Sequence, residues 1–398
     1  MESAAENRKC HVLLIYRAMI PSVRLCGHSQ MEALAREGLL EYRAVQEMQL
    51  TRADMNWADT VLLGRLDSWY ERRLAQILHD ARRRLVYIID DDLLNIPPAI
   101  TSAAYYGQPA VQGNIRAMLD MSGVIFSPSP LLLAKYATDG KLAVKMEEPA
   151  LEPVSYSPRN PGRPLKIGFA GSIDRVSDIE EILRKALFRI KEEFGDRVRF
   201  EFFGAIPSFA RQLEAACIPY TEDYDHYRRK LNELAWDIGL APMPITPFHA
   251  CKHYNKFCEY SAAGVAGIYT DSEPYVFIPE KERFGRFCKN TPEAWYEQIR
   301  AEILDDEGRE EHRRQCCAWA GERLSPSYIG RELFQAHGEL FRPLEAQAIA
   351  GSALGWLKVQ NLCRSVAEKV RRNGLKTPVV AVQKLTGRLR SMVERRRH

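Results

Sequence analysis

The feature that most constrains this chain is an alternation, made twice, of short apolar runs with longer amphipathic stretches. His11 to Tyr16 (HVLLIY), Asp59 to Leu63 (DTVLL), Leu85 to Ile89 (LVYII) and Gly123 to Ser127 (GVIFS) are short and apolar. Such runs, bounded by polar or turn residues, read as strands. Helical periodicity lies between them, from about Ser29 to Arg36 and from Asp67 to Arg84. Strands alternating with helices predict a parallel sheet covered on both faces. The pattern breaks at 148–164 (EPALEPVSYSPRNPGRP), which is dense in proline and has neither period. That stretch reads as a linker. The alternation then restarts with Leu165 to Phe169, a helix from about Ser177 to Phe194, Val198 to Phe203, and a helix before Trp236. Strands at Ile238 to Ala241 and Gly267 to Thr270 follow. The expectation is an α/β chain with domains at 1–150 and 165–341, a linker at 151–164 and a tail at 342–398.

Composition agrees. The 398 residues suffice for two cores, and 46% apolar with 27% charged residues is a globular balance. No apolar run approaches the roughly 20 residues that span a bilayer. The start, MESAAENRKC, has no apolar segment before the first strand and reads as no secretory signal, so a cytoplasmic protein is expected. Nine cysteines are scattered through the elements. Cys251 and Cys258 flank His253, but no second ligand pair stands at zinc-site spacing, so packing thiols, no metal and no cofactor are expected.

The net charge of +4 is uneven: from Arg342 onward 13 Lys/Arg face 3 Asp/Glu, a balance of +10 that leaves −6 for the rest. Trp356, Val359, Cys363, Val366 and Val370 recur at helical spacing, as do Val382, Leu385, Leu389 and Met392, with Lys and Arg around both stripes. Basic amphipathic helices over 352–397 suit an anionic membrane surface, or docking on an acidic body. Few aromatics accompany the basic residues, so no nucleic-acid partner is expected.

The chemistry concentrates between Trp236 and Asp271: a buried strand, a polar loop, a helix beginning near Asn255 or Lys256 and stopping at Gly264, and a second strand. A helix N-terminus after a parallel strand favours phosphate, because its unpaired N–H groups and dipole point at the anion. Lys256 adds a full charge there, and Glu259, one turn deeper on the same face, suits a ribose diol. Lys166 to Ile179 (KIGFAGSIDRVSDI) is a strand, a tight Gly171-Ser172 turn and a helix, a turn expected to face the crevice beyond the strand ends, with Arg175 the nearby base.

The run KFCEYSAAGVAGIYT resembles the donor-nucleotide segment of GT-B glycosyltransferases, especially the retaining group-1 (family 4) type. The resemblance implies two Rossmann-like domains facing across a cleft, and a nucleotide diphosphate sugar as donor substrate. It implies that Glu259 holds the ribose and that Lys256 or Lys252 faces the diphosphate. Gly171 and Ser172 become backbone contacts, Arg175 a phosphate contact, and Gly204 the strand end near the base. The family's second glutamate, eight residues before Glu259, is Cys251 here.

Asp90, Asp91 and Asp92 follow a strand and have two readings. A strand ending in Asp-x-Asp suits a divalent cation in a metal-dependent transferase, through Asp90 and Asp92. The resemblance instead puts Asp91 at the reacting centre, where like-charged neighbours are expected to raise its pKa and fit it for base catalysis. Either outer aspartate also suits capping a turn. Arg17 and Arg24, with Ser22, follow the first strand and are candidates for an anionic acceptor. The expected activity is metal-independent glycosyl transfer to a glycan or lipid-linked acceptor. A nucleotide-sugar epimerase and a non-catalytic binding module are the alternatives.

Overall fold

The structure is a computed structural model describing residues 8–98, 100–150 and 152–373. It contains two six-stranded sheets, ordered β2-β1-β3-β4-β5-β6 and β12-β11-β10-β7-β8-β9. The first comprises β1 (His11–Tyr16), β2 (Glu41–Gln46), β3 (Thr60–Gly64), β4 (Arg84–Ile88), β5 (Val124–Ser127) and β6 (Leu142–Lys145). The second comprises β7 (Leu165–Gly171), β8 (Val198–Gly204), β9 (Ala216–Ile218), β10 (Ile238–Ala241), β11 (Ala266–Thr270) and β12 (Gly285–Cys288). Every strand pair is parallel.

Val12 to Ile15 are fully buried, with Leu13 and Ile15 in the core on one face and Val12 and Leu14 in the core on the other. Burial on both faces is why HVLLIY is apolar throughout instead of alternating. The second sheet is covered in the same way by two separate clusters. The helix expected over Ser177 to Phe194 is two, Val176–Ile182 and Arg184–Phe194, meeting at Leu183.

The Pro-rich stretch is not a free linker. Val154 N donates to Ala262 O at 2.7 Å, Arg163 pairs with buried Asp237 at 2.7 Å, and Tyr156 donates to Glu310 at 3.0 Å. From Val154 on it is strapped to the second domain, so the crossing between domains lies at its start, around Glu147 to Ala150.

The chain then returns. The Pro326–Ala336 helix packs on the Ser29–Arg36 helix, and Ile329 and Leu333 join Met31 and Leu34 in the first domain's core. The Gly351–Asn373 helix follows, with Leu354 and Leu357 buried beside Leu50 and Leu74. Lys358 Nζ donates to the carbonyls of Met48 and Leu50 at 3.1 and 2.9 Å, and the Arg364 guanidinium lies 4.5 Å from the Trp69 ring centre. The expected stripe through Trp356 and Cys363 is therefore not the docked face. Both are exposed, because Leu354 and Leu357 set the rotation of the helix. The second expected tail helix, Val382 to Met392, lies outside the described residues. Among the described residues no helix is long and apolar enough to cross a membrane.

Candidate functional site

The C-terminal strand ends of the two sheets face one cavity of about 930 Å³. From the first domain come Ser22, Arg65, Asp90 and Asp91; from the second, Gly171, Ser172, Arg175, His249, Lys252, Lys256 and Glu259. A second cavity of about 210 Å³ shares Gly171, Ser172, Lys256 and Glu259 and adds Gly204, Tyr220, Tyr224 and Tyr227. Strand ends collect these groups because parallel strands deliver all their following loops to one edge.

Gly171 and Gly204 are paired across β7 and β8, at the ends of both strands. Gly204 has φ +82°, and a Cβ there would stand 2.2 Å from the Gly171 carbonyl oxygen. Only glycine fits, and the two strand ends offer bare backbone to whatever enters.

The Asn255–Ala262 helix opens onto both cavities. Lys256 Nζ ion-pairs with Glu259 Oε2 and lies 3.0 Å from the Tyr227 hydroxyl, which itself donates to Glu259 at 2.7 Å. Arg175 is held against the β10 end by donation to Pro242 O at 2.6 Å and by Asp178 at 2.6 Å. Cys251 turns away into the first domain's core, and its neighbours His249 and Lys252 take the cavity wall. Burial, with Arg175 and Lys252 adding, pushes the His249 imidazole down to about 4, so it is neutral at pH 7. Thr246 Oγ1 lies 2.8 Å from its Nδ1.

The three aspartates splay toward different cations. Asp90 faces Arg65 at 3.2 Å, Asp91 takes Lys252 at 2.6 Å and Arg65 at 3.4 Å, and buried Asp92 takes Lys135 at 2.6 Å together with Tyr136 and Asn95. Among the described residues no group of three His, Cys, Asp or Glu is arranged to hold a metal. The expectation of a raised pKa at Asp91 is overturned. Burial pushes its carboxyl up, but Lys252 and Arg65 outweigh that and hold it below the usual carboxylate range. A carboxylate tied into two ion pairs is a weak proton acceptor.

Arg17 and Arg24 line none of these cavities. Arg17 is spent on buried Asp67 and Glu71 at 2.7 and 2.8 Å, and Arg24 bridges to Asp225 of the second domain at 2.6 Å. Sequence reasoning passed over Arg65, Glu148, His249 and Tyr227, and weighed His253 only as a zinc ligand. Arg65 had a signal, since it directly follows the Thr60–Gly64 strand and so falls at the functional edge. Tyr227, in mid-helix, had none.

Neither a protein-family model nor a curated protein matches the sequence. Solved structures do match it. HepE of Anabaena, solved with UDP and glucose, superposes with a TM-score of 0.55 at 11% identity over 82% of this chain and 99% of that one. Sucrose-phosphate synthase of Thermosynechococcus elongatus gives 0.56 at 9% over 83% and 99%. A glycosyltransferase of Rickettsia africae gives 0.53 at 14% over 84% and 99%. The fold is GT-B. In this GT-B chain the cavity lies between the two domains, and most of its cationic groups belong to the second.

Proposed function

We propose that the protein is a metal-independent glycosyltransferase, moving a sugar from a nucleotide diphosphate sugar to a hydroxyl acceptor on a glycan or lipid-linked glycan. One observation carries this: bare glycine strand ends, a helix N-terminus with Lys256 and Glu259, Arg175 and Lys252 converge on two cavities that share Gly171, Ser172, Lys256 and Glu259. Bare backbone and positive groups suit a diphosphate, and Glu259 suits a ribose. About 930 Å³ is ample for a nucleotide sugar. The positive groups would stabilise the leaving diphosphate electrostatically. Anabaena HepE, solved with UDP and glucose, supports UDP as the first nucleotide to try. The reading extends to retention of configuration, on the resemblance of the KFCEYSAAG segment, which the anomeric configuration of the product tests.

A panel of nucleotide sugars screened by thermal shift tests the assignment. A ligand at 100 times its Kd stabilises by about 2.7 kcal/mol. Stabilisation by one nucleotide series and sugar release that survives EDTA are expected, and Asp90→Asn keeps donor binding. A strict Mn²⁺ or Mg²⁺ requirement lost in that variant moves the donor to the first domain. The reading also includes contact of the basic tail with an anionic membrane. The intact chain is expected to co-sediment with anionic vesicles at low salt, and truncation after Gly351 is expected to abolish this. Equal binding to neutral vesicles rejects a charge-based anchor.

A further inference from the structure

The first domain's wall of the larger cavity has a chemistry that the donor reading does not use. Between Asp92 and Arg116 the chain carries no charged residue and no histidine, the longest uncharged stretch in the sequence. At 27% charged residues a run of that length would carry about six. The stretch joins β4 to the Pro109–Met121 helix, and Ile96, Pro97, Ile100, Ala103 and Tyr106 from it line the cavity. A connection of this length is long for an α/β unit, and such loops are the ones that carry binding.

The two tyrosines of the loop present rings and keep their hydroxyls occupied. Tyr105 donates to Asp67 at 2.8 Å, and Tyr106 engages the Arg65 guanidinium, which lies 5.6 Å from its ring centre. The polar side chains of this wall are bonded to one another or across the cleft. Arg65 donates to Ser22 at 2.8 Å and to Asp90 at 3.2 Å, and Asp91 takes Lys252 at 2.6 Å. From the second domain the same cavity receives Phe248 and Ile173. Ile173 is 63% exposed, and Ile245, next to cavity-lining Thr246, is 65% exposed. With Trp356 they are the most exposed large apolar side chains among the described residues. A single exposed isoleucine is ordinary, but Ile173 shares its cavity with an uncharged aliphatic loop.

We propose that this wall is the acceptor subsite and that the acceptor carries an aliphatic group next to its reacting hydroxyl; the proposal rests on the glycosyltransferase reading and narrows it. The candidate partners of the donor, Gly171, Arg175, Lys256 and Glu259, all belong to the second domain. Transfer needs both substrates in one cavity, so the acceptor meets the wall that the donor leaves. An aliphatic chain gains there in proportion to the apolar area it covers. A charged acceptor, or one presenting only sugar hydroxyls, would lose water against the loop and find no partners in it.

The test uses the full chain, the nucleotide sugar that the panel selects, and acceptors in pairs. Each pair is the methyl and the n-octyl glycoside of one sugar (glucose, galactose or N-acetylglucosamine), kept below micelle-forming concentration. The readout is nucleoside diphosphate release above the rate with water alone. For at least one sugar the n-octyl member is expected to exceed the methyl member in kcat/KM by roughly 10-fold or more, the effect of about two buried methylenes. Ile100→Asp and Ala103→Asp put a charge into the wall and are expected to erase that preference, with nucleotide affinity by calorimetry and Tm kept. Ile100→Leu is expected to retain it. Equal rates within every pair, no acceleration by any n-octyl glycoside, or a preference that survives both charged variants overturns the aliphatic subsite and leaves the donor site standing. A wild type that binds no nucleotide overturns the transferase reading and the subsite with it.

Discussion

At the residue scale the site is a set of opposed charges held apart by burial. Glu259 shares one oxygen between Lys256 and Tyr227, which orients its carboxylate toward both cavities. Glu259→Gln removes a charge-assisted acceptor and is expected to weaken nucleotide binding by roughly 1–3 kcal/mol by calorimetry, with the fold kept. Unchanged affinity rejects the ribose role. Gly204→Ala forces a Cβ to 2.2 Å from the Gly171 carbonyl in a left-handed conformation, so β7 and β8 must part at their ends. Loss of nucleotide binding together with a lowered Tm is the expected result. Glu148, buried in the cavity wall, carries a further expectation. Its carboxyl titrates at 4.5 ordinarily and near 7 in the fold, so folding favours the protonated form. That contribution is complete below about pH 4.5 and is lost as pH rises to 7. The stability of Glu148→Gln relative to wild type should therefore grow between pH 5 and 8, by on the order of 3 kcal/mol in urea melts. A constant difference means that the group titrates normally.

At the scale of elements, the last described helix shows how a stripe read by period alone is misassigned. Trp356, 65% exposed, was the natural anchor by size, yet Leu354 and Leu357, at 6% and 3%, are the residues that dock. Either leucine changed to alanine is expected to cost roughly 2–5 kcal/mol and to lower Tm, since each opens a cavity in the first domain's core. Trp356→Ala should leave Tm nearly unchanged while reducing any binding to anionic vesicles. A large Tm loss for Trp356→Ala means that the other face is the packed one. The helix thus combines a structural inner face with an outer face free for a surface. The two roles assigned to the tail are compatible, not exclusive.

At the scale of the whole molecule, the domains meet through two returning helices, the crossing at Glu147 to Ala150, where His253 pairs with Glu147, and ion pairs between the bodies of the two domains. Lys252–Asp91 lies in the cleft, and Arg24–Asp225 at its rim. The rim pair is a third to half exposed, where such pairs contribute about 0–1 kcal/mol. Arg24→Ala should therefore change Tm little. Lys252→Met removes both a cross-domain tie and a cation of the proposed donor site. It is expected to weaken UDP binding, and Asp91→Asn, which frees Lys252, should not. Equal losses in the two variants assign the effect to the tie itself.

The interior strands were legible because burial on both faces demands unbroken apolar runs, as in HVLLIY and LVYII. The four strands that sequence reasoning passed over, β2, β6, β9 and β12, are the four sheet edges. An edge strand is half solvated, so EYRAVQ or LAVK carries too weak an apolar signal to separate it from a loop. That Lys256, Glu259, Gly171 and Arg175 line one cavity was likewise legible, since the turns and helix starts that follow parallel strands gather at one edge. The chain alone determined two α/β domains and the half of the cavity whose residues lie close together in sequence. Only the tertiary structure decided that Lys252 pairs with Asp91 from 161 positions away, that Arg17 is bound to Asp67 and Glu71, and that buried Glu148 meets the Cys26 thiol. Ionisation depends on what burial and folding bring within a few ångströms, and no local pattern carries that distance.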